Sequence, residues 1–100
     1  MRKGTTPTLT FKLPVSISTL KTVKVSICQG EIALYKYLSD LTIVDEYTLK
    51  LSLTQKETFM FDDRNVVKIQ LRVLTNDGIA PPTPIFTERL DKCLDDEVLV

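Results

Sequence analysis

Two clusters of acidic residues are the parts of this chain whose side chains have the chemistry for acid–base catalysis. They are Asp62-Asp63 and Asp95-Asp96-Glu97. Glycoside hydrolysis requires two carboxyl groups set several ångströms apart across a cleft, whereas adjacent acids in turns and tails are mostly solvated surface residues. The chain contains no histidine, which removes Ser-His and Cys-His nucleophilic catalysis and the usual transition-metal ligands. We therefore predict that the protein is not an enzyme and has no catalytic residue.

The loop around Asp62 also contains the oxygen ligands that a calcium ion prefers. Asp62, Asp63 and Asn65 lie close together in sequence, but their spacing does not match the Asp-x-Asp-x-Asp-Gly pattern of calcium loops. Forming a turn is the commoner role of such residues. No glycine-rich phosphate-binding loop is present, because the glycines are scattered at Gly4, Gly30 and Gly78. We therefore predict no metal-binding residue, no cofactor-binding residue, no cofactor and no small-molecule substrate.

Binding through other surface features finds little support in the sequence. The segment Pro81–Pro84 contains a Pro-x-x-Pro pair, as SH3 ligands do, but a stiff connecting loop explains it more simply. Carbohydrate-binding domains often use exposed aromatic rings, and Tyr35, Tyr37 and Tyr47 fit a core or a rim equally well. The formal net charge of zero argues against a general affinity for nucleic acid or for anionic membranes.

The elements that must carry these residues are best indicated by the run from Val66 to Gly78. Apolar and polar residues alternate strictly from Val67 to Val73, and successive side chains of a strand point to opposite faces. The run therefore predicts a strand with one face in a core and one in water. Asn76-Asp77-Gly78 follows and contains residues that tolerate positive φ, as a tight turn requires.

Similar alternation predicts strands over residues 8–13, 22–29, 31–38, 41–44, 47–53 and 85 to about 90. The side chains expected to point inward include Leu9, Phe11, Leu13, Val23, Val25 and Ile27. In the strand over 47–53, one side carries Tyr47, Leu49, Leu51 and Leu53. Cys28 falls on the polar face of its strand, so we expect it to be partly exposed. The alternation over 31–38 is blurred, which predicts that the outer face of that strand is partly covered.

Two segments interrupt the strand pattern. Thr54-Gln55-Lys56-Glu57 matches the capping box that begins a helix, which predicts one short helical turn near residues 54–60. The prolines between residues 79 and 84 cannot donate to a strand ladder. We therefore expect that segment to form an edge or a crossover that lets the last strand enter the opposite sheet.

About seven short antiparallel strands predict an all-β fold. We expect an antiparallel, immunoglobulin-like β-sandwich, with a small barrel as the alternative. The 100 residues form a single β-sandwich domain spanning 1–100. Residues 1–50 carry a net charge of +3 and residues 51–100 a net charge of −3, which indicates either solvated ends or head-to-tail stacking of subunits.

The expected location follows from three absences. No run of about 18 apolar residues is present to span a membrane. No apolar segment follows the basic residues Arg2 and Lys3, so we expect no secretory signal and synthesis in the cytoplasm. Cys28 and Cys93 are far apart in sequence, and two reduced thiols are the expected state rather than a disulfide.

A small β domain without catalytic residues still offers its strand edges. Unpaired edges are templates for pairing with another chain, so an assembly component fits the sequence best. The rival function from another class is a host-surface glycan-binding module. An enzyme that uses acids alone is the third alternative, disfavoured by the missing base and the small size of the chain.

Several stretches resemble small proteins encoded in the prophage structural regions of Gram-positive, Clostridia-like bacteria. The resemblance lies in Met1–Pro7, Leu53–Thr58, Ile69–Gly78 and the ending Cys93–Leu99. In outline the chain is also similar to the immunoglobulin-like N-terminal modules of tail or baseplate proteins, a likeness of fold alone. The resemblance implies a phage structural or accessory protein whose partners are other phage structural proteins or further copies of itself, with the virion as a second location. Pro81–Pro84 departs from the ordinary strand that the resemblance leads us to expect.

Overall fold

The structure, a computed structural model, describes residues 1–100 and contains seven β-strands and one short α-helix. The strands are β1 Thr8–Lys12, β2 Leu20–Gln29, β3 Ile32–Tyr37, β4 Thr42–Asp45, β5 Thr48–Ser52, β6 Val67–Thr75 and β7 Ile85–Glu88. The helix α1 covers Gln55–Phe59, and two 3₁₀ turns cover Ile17–Thr19 and Leu38–Asp40. All of these helical segments are far too short to cross a bilayer, and none meets the length and hydropathy that a spanning helix needs.

The strands form two antiparallel sheets, which confirms the predicted β-sandwich. One sheet has three strands in the order β1-β5-β4, and the other has four in the order β3-β2-β6-β7. The likeness to an immunoglobulin domain is one of architecture and strand number. In that fold the second and third strands lie in opposite sheets, whereas here β2 and β3 form a hairpin within one sheet.

The core lies between the two sheets and contains fourteen buried apolar residues. They are Phe11, Leu13, Val23, Val25, Ile27, Leu49, Leu51, Leu53, Phe61, Val67, Ile69, Leu71, Val73 and Leu90. Most occupy alternate positions of their strands, as the period of two predicts. Tyr47 shares the side of Leu49 by parity, but it lies in the turn between β4 and β5 and is 49% exposed, so it is a rim residue.

The capping box of α1 is confirmed in full. Thr54 Oγ1 accepts the Glu57 N–H at 3.1 Å, and Glu57 Oε1 accepts the Thr54 N–H at 2.9 Å. The Glu57 carboxylate also binds Lys36 Nζ of β3 at 2.5 Å. Burial alone raises the pKa of Glu57, but the hydrogen bonds from Lys36 and Thr54 outweigh it, so that pKa lies below its ordinary value.

The turn after β6 is a three-residue loop. The Thr75 N–H donates to Ile79 O at 2.8 Å and the Gly78 N–H donates to Thr75 O at 3.0 Å. Of the three loop residues Asn76, Asp77 and Gly78, only Gly78 has a positive φ, at 84°. This is the arrangement of three-residue hairpin loops, in which a glycine in the left-handed region follows a type I turn.

The last strand lies in the sheet of its predecessor, which corrects the expected crossover into the opposite sheet. β7 pairs antiparallel with β6, and Ile85 lies opposite Gln70. Thr75 pairs with Ile79 at the turn, and an unbroken register from that pair would place Pro84 opposite Gln70. Ile85 takes that place instead, so the segment between the turn and β7 contains one extra residue. The prolines leave this segment without ladder hydrogen bonds.

The outer face of β3 also differs from expectation. Its residues Ala33, Tyr35 and Tyr37 are exposed, so the face that the blurred alternation suggested was covered is open to solvent. The blur arises because apolar tyrosine rings alternate with Ile32 and Leu34, which pack against the core. Cys28, on the same outer face of the sheet, is partly exposed as predicted.

Candidate interaction site at the seam between β1 and β7

The acidic loop that the sequence suggested for calcium uses its carboxylate locally. Both oxygens of Asp62 bind the Arg64 guanidinium, with Nε at 3.0 Å from Oδ1 and a terminal nitrogen at 2.7 Å from Oδ2. The Arg64 N–H also donates to Oδ1 at 2.9 Å. These hydrogen bonds from Arg64 lower the pKa of Asp62 to about 2. The bonds between Asp62 and Arg64 hold the loop, and both carboxylate oxygens of Asp62 accept hydrogen bonds from Arg64.

The remaining sequence candidates are dispersed. Asp95, Asp96 and Glu97 are exposed in the C-terminal segment, where Asp95 accepts the Glu97 N–H at 3.0 Å. No group of three or more His, Cys, Asp or Glu side chains comes together anywhere in the chain. Cys28 and Cys93 are both free thiols. The two sheets also present strand edges, at β1 and β4 and at β3 and β7.

Two strand edges border the same opening of the sandwich. β1 is the end strand of the three-stranded sheet and β7 is the end strand of the four-stranded sheet. Two concavities, of about 260 Å³ and about 280 Å³, have walls from both strands and share Phe11 and Phe86. No backbone hydrogen bond joins β1 to β7. We call this opening the β1–β7 seam, defined by Phe11, Leu13, Ile69, Leu71 and Phe86.

The exposure of Phe86 shows that the seam lacks a cover. Phe86 is paired with Ile69 across the β6–β7 ladder, so both side chains point toward the sandwich interior. Ile69 is 2% exposed, whereas Phe86 is 51% exposed. The difference arises because the three-stranded sheet ends at β1 and does not extend over β7.

The N-terminal arm closes one end of the seam. Met1 N donates to Arg89 O at 3.0 Å, Asp91 N donates to Met1 O at 2.7 Å, and Lys3 N donates to Asp91 O at 3.0 Å. The Met1 ammonium also lies 3.5 Å from the Glu88 carboxylate. These bonds fasten the arm to the residues that follow β7, so this end of the seam is fixed.

The opposite end of the seam is bounded by prolines. Pro14, Pro82 and Pro84 line the concavity of about 260 Å³ together with Phe11 and Phe86. Gln70 Nε2 donates to Thr83 O at 3.3 Å, which ties the proline segment to β6. Of the Pro-x-x-Pro pair, Pro84 is therefore part of the seam wall.

The seam offers an incoming chain two kinds of contact. In an antiparallel pair only alternate residues bond to the neighbouring strand, so the outer edges of β1 and β7 retain free N–H and C=O groups. Between these edges lies an apolar floor of Phe11 and Leu71, each 4% exposed, beside the half-exposed Phe86. An extended segment that pairs with an edge and covers Phe86 fits this arrangement.

Sequence reasoning did not single out Phe86. The alternation of Ile85, Phe86, Thr87 and Glu88 leaves the inward side undecided, because each side carries one large apolar residue. In the structure Phe86 lies opposite the buried Ile69, so Phe86 is the inward residue. The period of a strand does not predict which residue of a distant strand lies opposite.

Comparison with known proteins adds no identity. No protein-family description matches the chain, and no curated protein matches it.

Proposed function

We propose that this protein is a non-enzymatic structural or accessory component of a phage particle, of the tail or baseplate, that assembles through strand edges at the β1–β7 seam. The observation that carries the proposal is the half-exposed Phe86 at an inward-facing position between two unpaired edges. The phage setting draws its support from the resemblance of Met1–Pro7, Leu53–Thr58 and Ile69–Gly78 to prophage structural-region proteins.

The isolated chain exposes more surface than a compact monomer of its mass. Its accessible surface is 6506 Å², whereas a folded monomer of 11.3 kDa is expected to expose about 5,700 Å². The radius of gyration of 14.5 Å likewise exceeds the value of about 13 Å expected for this length. The exposed C-terminal segment, with Leu94, Leu99 and Val100, contributes to this excess together with the open seam at Phe86.

The occupant that we assign to the seam is a second copy of this chain. β1 lies in the half with a net charge of +3 and carries Lys12, and β7 lies in the half with a net charge of −3 and carries Glu88. Within one chain, however, Lys12 Nζ already donates to Thr48 Oγ1 at 3.0 Å and Glu88 lies 3.5 Å from the Met1 ammonium, so this charge difference adds little to the pairing of the two edges. Screened surface pairs contribute only about 0.2–1 kcal/mol, so burial of Phe86 supplies most of the association energy.

Sedimentation velocity tests this proposal over a range of about 10 μM to about 1 mM protein. We expect the wild-type chain to associate as its concentration rises and Phe86→Lys to remain monomeric. Ile43→Lys is the matched control, because Ile43 is 56% exposed on the edge strand β4, in the other sheet from β7. A wild-type monomer throughout the range, or association abolished by Ile43→Lys and kept by Phe86→Lys, would refute the proposal.

A further inference from the structure

The outer face of the four-stranded sheet collects cations and tyrosines that are far apart in sequence. Lys24 of β2 lies between Tyr37 of β3 and Arg72 of β6, in one row across the sheet. Tyr35 lies two residues from Tyr37 on the same side of β3, and Lys68 lies four residues from Arg72 on the same side of β6. We call these five residues the basic face.

The cations of the basic face have no acidic partners. None of the ion pairs in the structure involves Lys24, Lys68 or Arg72. No outward position of β2, β3, β6 or β7 holds an aspartate or a glutamate. The neutral total of the chain therefore hides a local positive charge, because the carboxylates lie in turns, on other faces and in the C-terminal segment.

Lys24 and Arg72 repel each other in the isolated protein. They are directly opposite across the β2–β6 ladder, where Cβ atoms lie about 4.5–5.5 Å apart and like charges destabilise the sheet. Both side chains line a shallow concavity of about 240 Å³ on this face. An anion held in that concavity would contact both cations and relieve their repulsion.

The tyrosines provide flat apolar surfaces beside these cations. Tyr35 and Tyr37 are each 48% exposed, and two residues along a strand separate their side chains by about 7 Å. Lys24 Nζ lies 4.3 Å from the centroid of the Tyr35 ring, so the ring and the cation present one continuous surface. Aromatic rings of this kind are platforms on which unpaired bases stack.

We propose that the basic face binds single-stranded nucleic acid, with phosphates against Lys24, Arg72 and Lys68 and bases stacked on Tyr35 and Tyr37. A single strand fits better than a duplex, because the face is a sheet surface with no helix or ribbon to enter a groove. Unpartnered cations favour a polyanion over a neutral glycan. This inference is independent of the β1–β7 seam, since it uses other residues and another surface.

Fluorescence anisotropy with a fluorescein-labelled oligo(dT) of about 15 nucleotides measures this binding. Three phosphate contacts on a single strand give a log–log salt slope of about −2, so affinity falls about 20-fold between about 50 mM and about 200 mM salt. In the double variant Lys24→Gln/Arg72→Gln one contact remains, and that fall becomes about threefold. Tyr35→Leu/Tyr37→Leu weakens binding by about 100-fold, about tenfold for each of the two stacked bases, and leaves the salt slope unchanged.

The double variant Lys50→Gln/Lys56→Gln is the matched control, since it removes two exposed cations from the three-stranded sheet and α1. It keeps wild-type affinity if the basic face is the site. Circular dichroism checks that each variant is folded. The proposal is overturned if oligo(dT) does not bind at about 50 mM salt, or if the control loses as much affinity as Lys24→Gln/Arg72→Gln. Dextran sulfate binding as tightly as oligo(dT), with no effect of the tyrosine substitutions, would also overturn it and identify a general polyanion surface.

Discussion

The side-chain amide of Gln29 pairs with the backbone of Asp62 at both of its ends. Gln29 Oε1 accepts the Asp62 N–H at 2.6 Å, and Gln29 Nε2 donates to Asp62 O at 2.6 Å and to Asn65 O at 3.0 Å. Gln29 is only 8% exposed at the end of β2. One largely buried amide therefore fastens the loop after α1 to the four-stranded sheet.

Gln29→Leu should destabilise the fold by about 1–3 kcal/mol, because the substitution leaves the Asp62 N–H and two carbonyl oxygens without partners. For a chain of this size each kcal/mol lowers the melting temperature by about 4–8 °C. Thermal denaturation followed by circular dichroism measures the shift. Gln70→Leu is the control, since Gln70 makes only longer contacts to Thr83, at 3.3 and 3.5 Å. An equal shift for both variants would contradict the role assigned to Gln29.

Gly4→Ala should destabilise the fold more than Gly30→Ala does. Both glycines have positive φ, at 74° and 57°, so both alanines incur a left-handed strain of about 1–2 kcal/mol. A Cβ on Gly4 would lie 2.7 Å from Phe59 Cζ, whereas a Cβ on Gly30 would meet nothing within 4 Å. Urea denaturation of the two variants isolates the cost of displacing Phe59. Equal losses would show that Phe59 yields without cost.

The ion pair of Asp62 and Arg64 should make stability depend on pH in acid. Because the pKa of Asp62 falls from 3.8 to about 2 on folding, the ionised carboxylate contributes stability that is present above about pH 4 and lost as the pH falls toward 2. The lowered pKa of Glu57 acts in the same direction below its ordinary value of 4.5. Urea midpoints measured across this range should fall with pH, and less steeply in Arg64→Gln. An unchanged slope in Arg64→Gln would contradict the assignment.

Ile69→Ala and Phe86→Ala should separate the buried and open sides of the seam. Ile69 is fully enclosed, so its truncation should cost about 2–5 kcal/mol at any protein concentration. Phe86 already exposes half of its surface in the isolated chain, so its truncation should cost the monomer less than about 2 kcal/mol. Denaturation in dilute solution measures both. A loss for Phe86→Ala equal to that for Ile69→Ala would mean that the seam is already closed.

The sequence was sufficient for the features that depend on neighbouring residues. Strand β6 and the core positions of β2 follow from a period of two, and the α1 cap follows from Thr54 and Glu57, which are three residues apart. The structure differs from the sequence pattern where the path of the whole chain, rather than neighbouring residues, determines the position of a side chain. Tyr47 shares the parity of Leu49, yet the β4–β5 turn carries it out of the core.

The candidate surfaces depended on register and could not be predicted. Lys24 meets Arg72, and Ile69 meets Phe86, only because of how the strands of one sheet align. Alternation defines which side of its own strand a residue takes, but it does not define the residue opposite. For the same reason the net charge of zero does not reveal the basic face, because a sum over the whole chain does not say where the charges lie.

Hydrogen exchange read by mass spectrometry tests the seam most directly, because it reports which strand edge becomes protected on assembly. We predict that backbone amides of β1 and β7 exchange more slowly at about 1 mM than at about 10 μM protein, while those of β4 are unchanged. Protection that appears in β4 instead, or no change in β1 and β7 at the higher concentration, would contradict assembly through the β1–β7 seam.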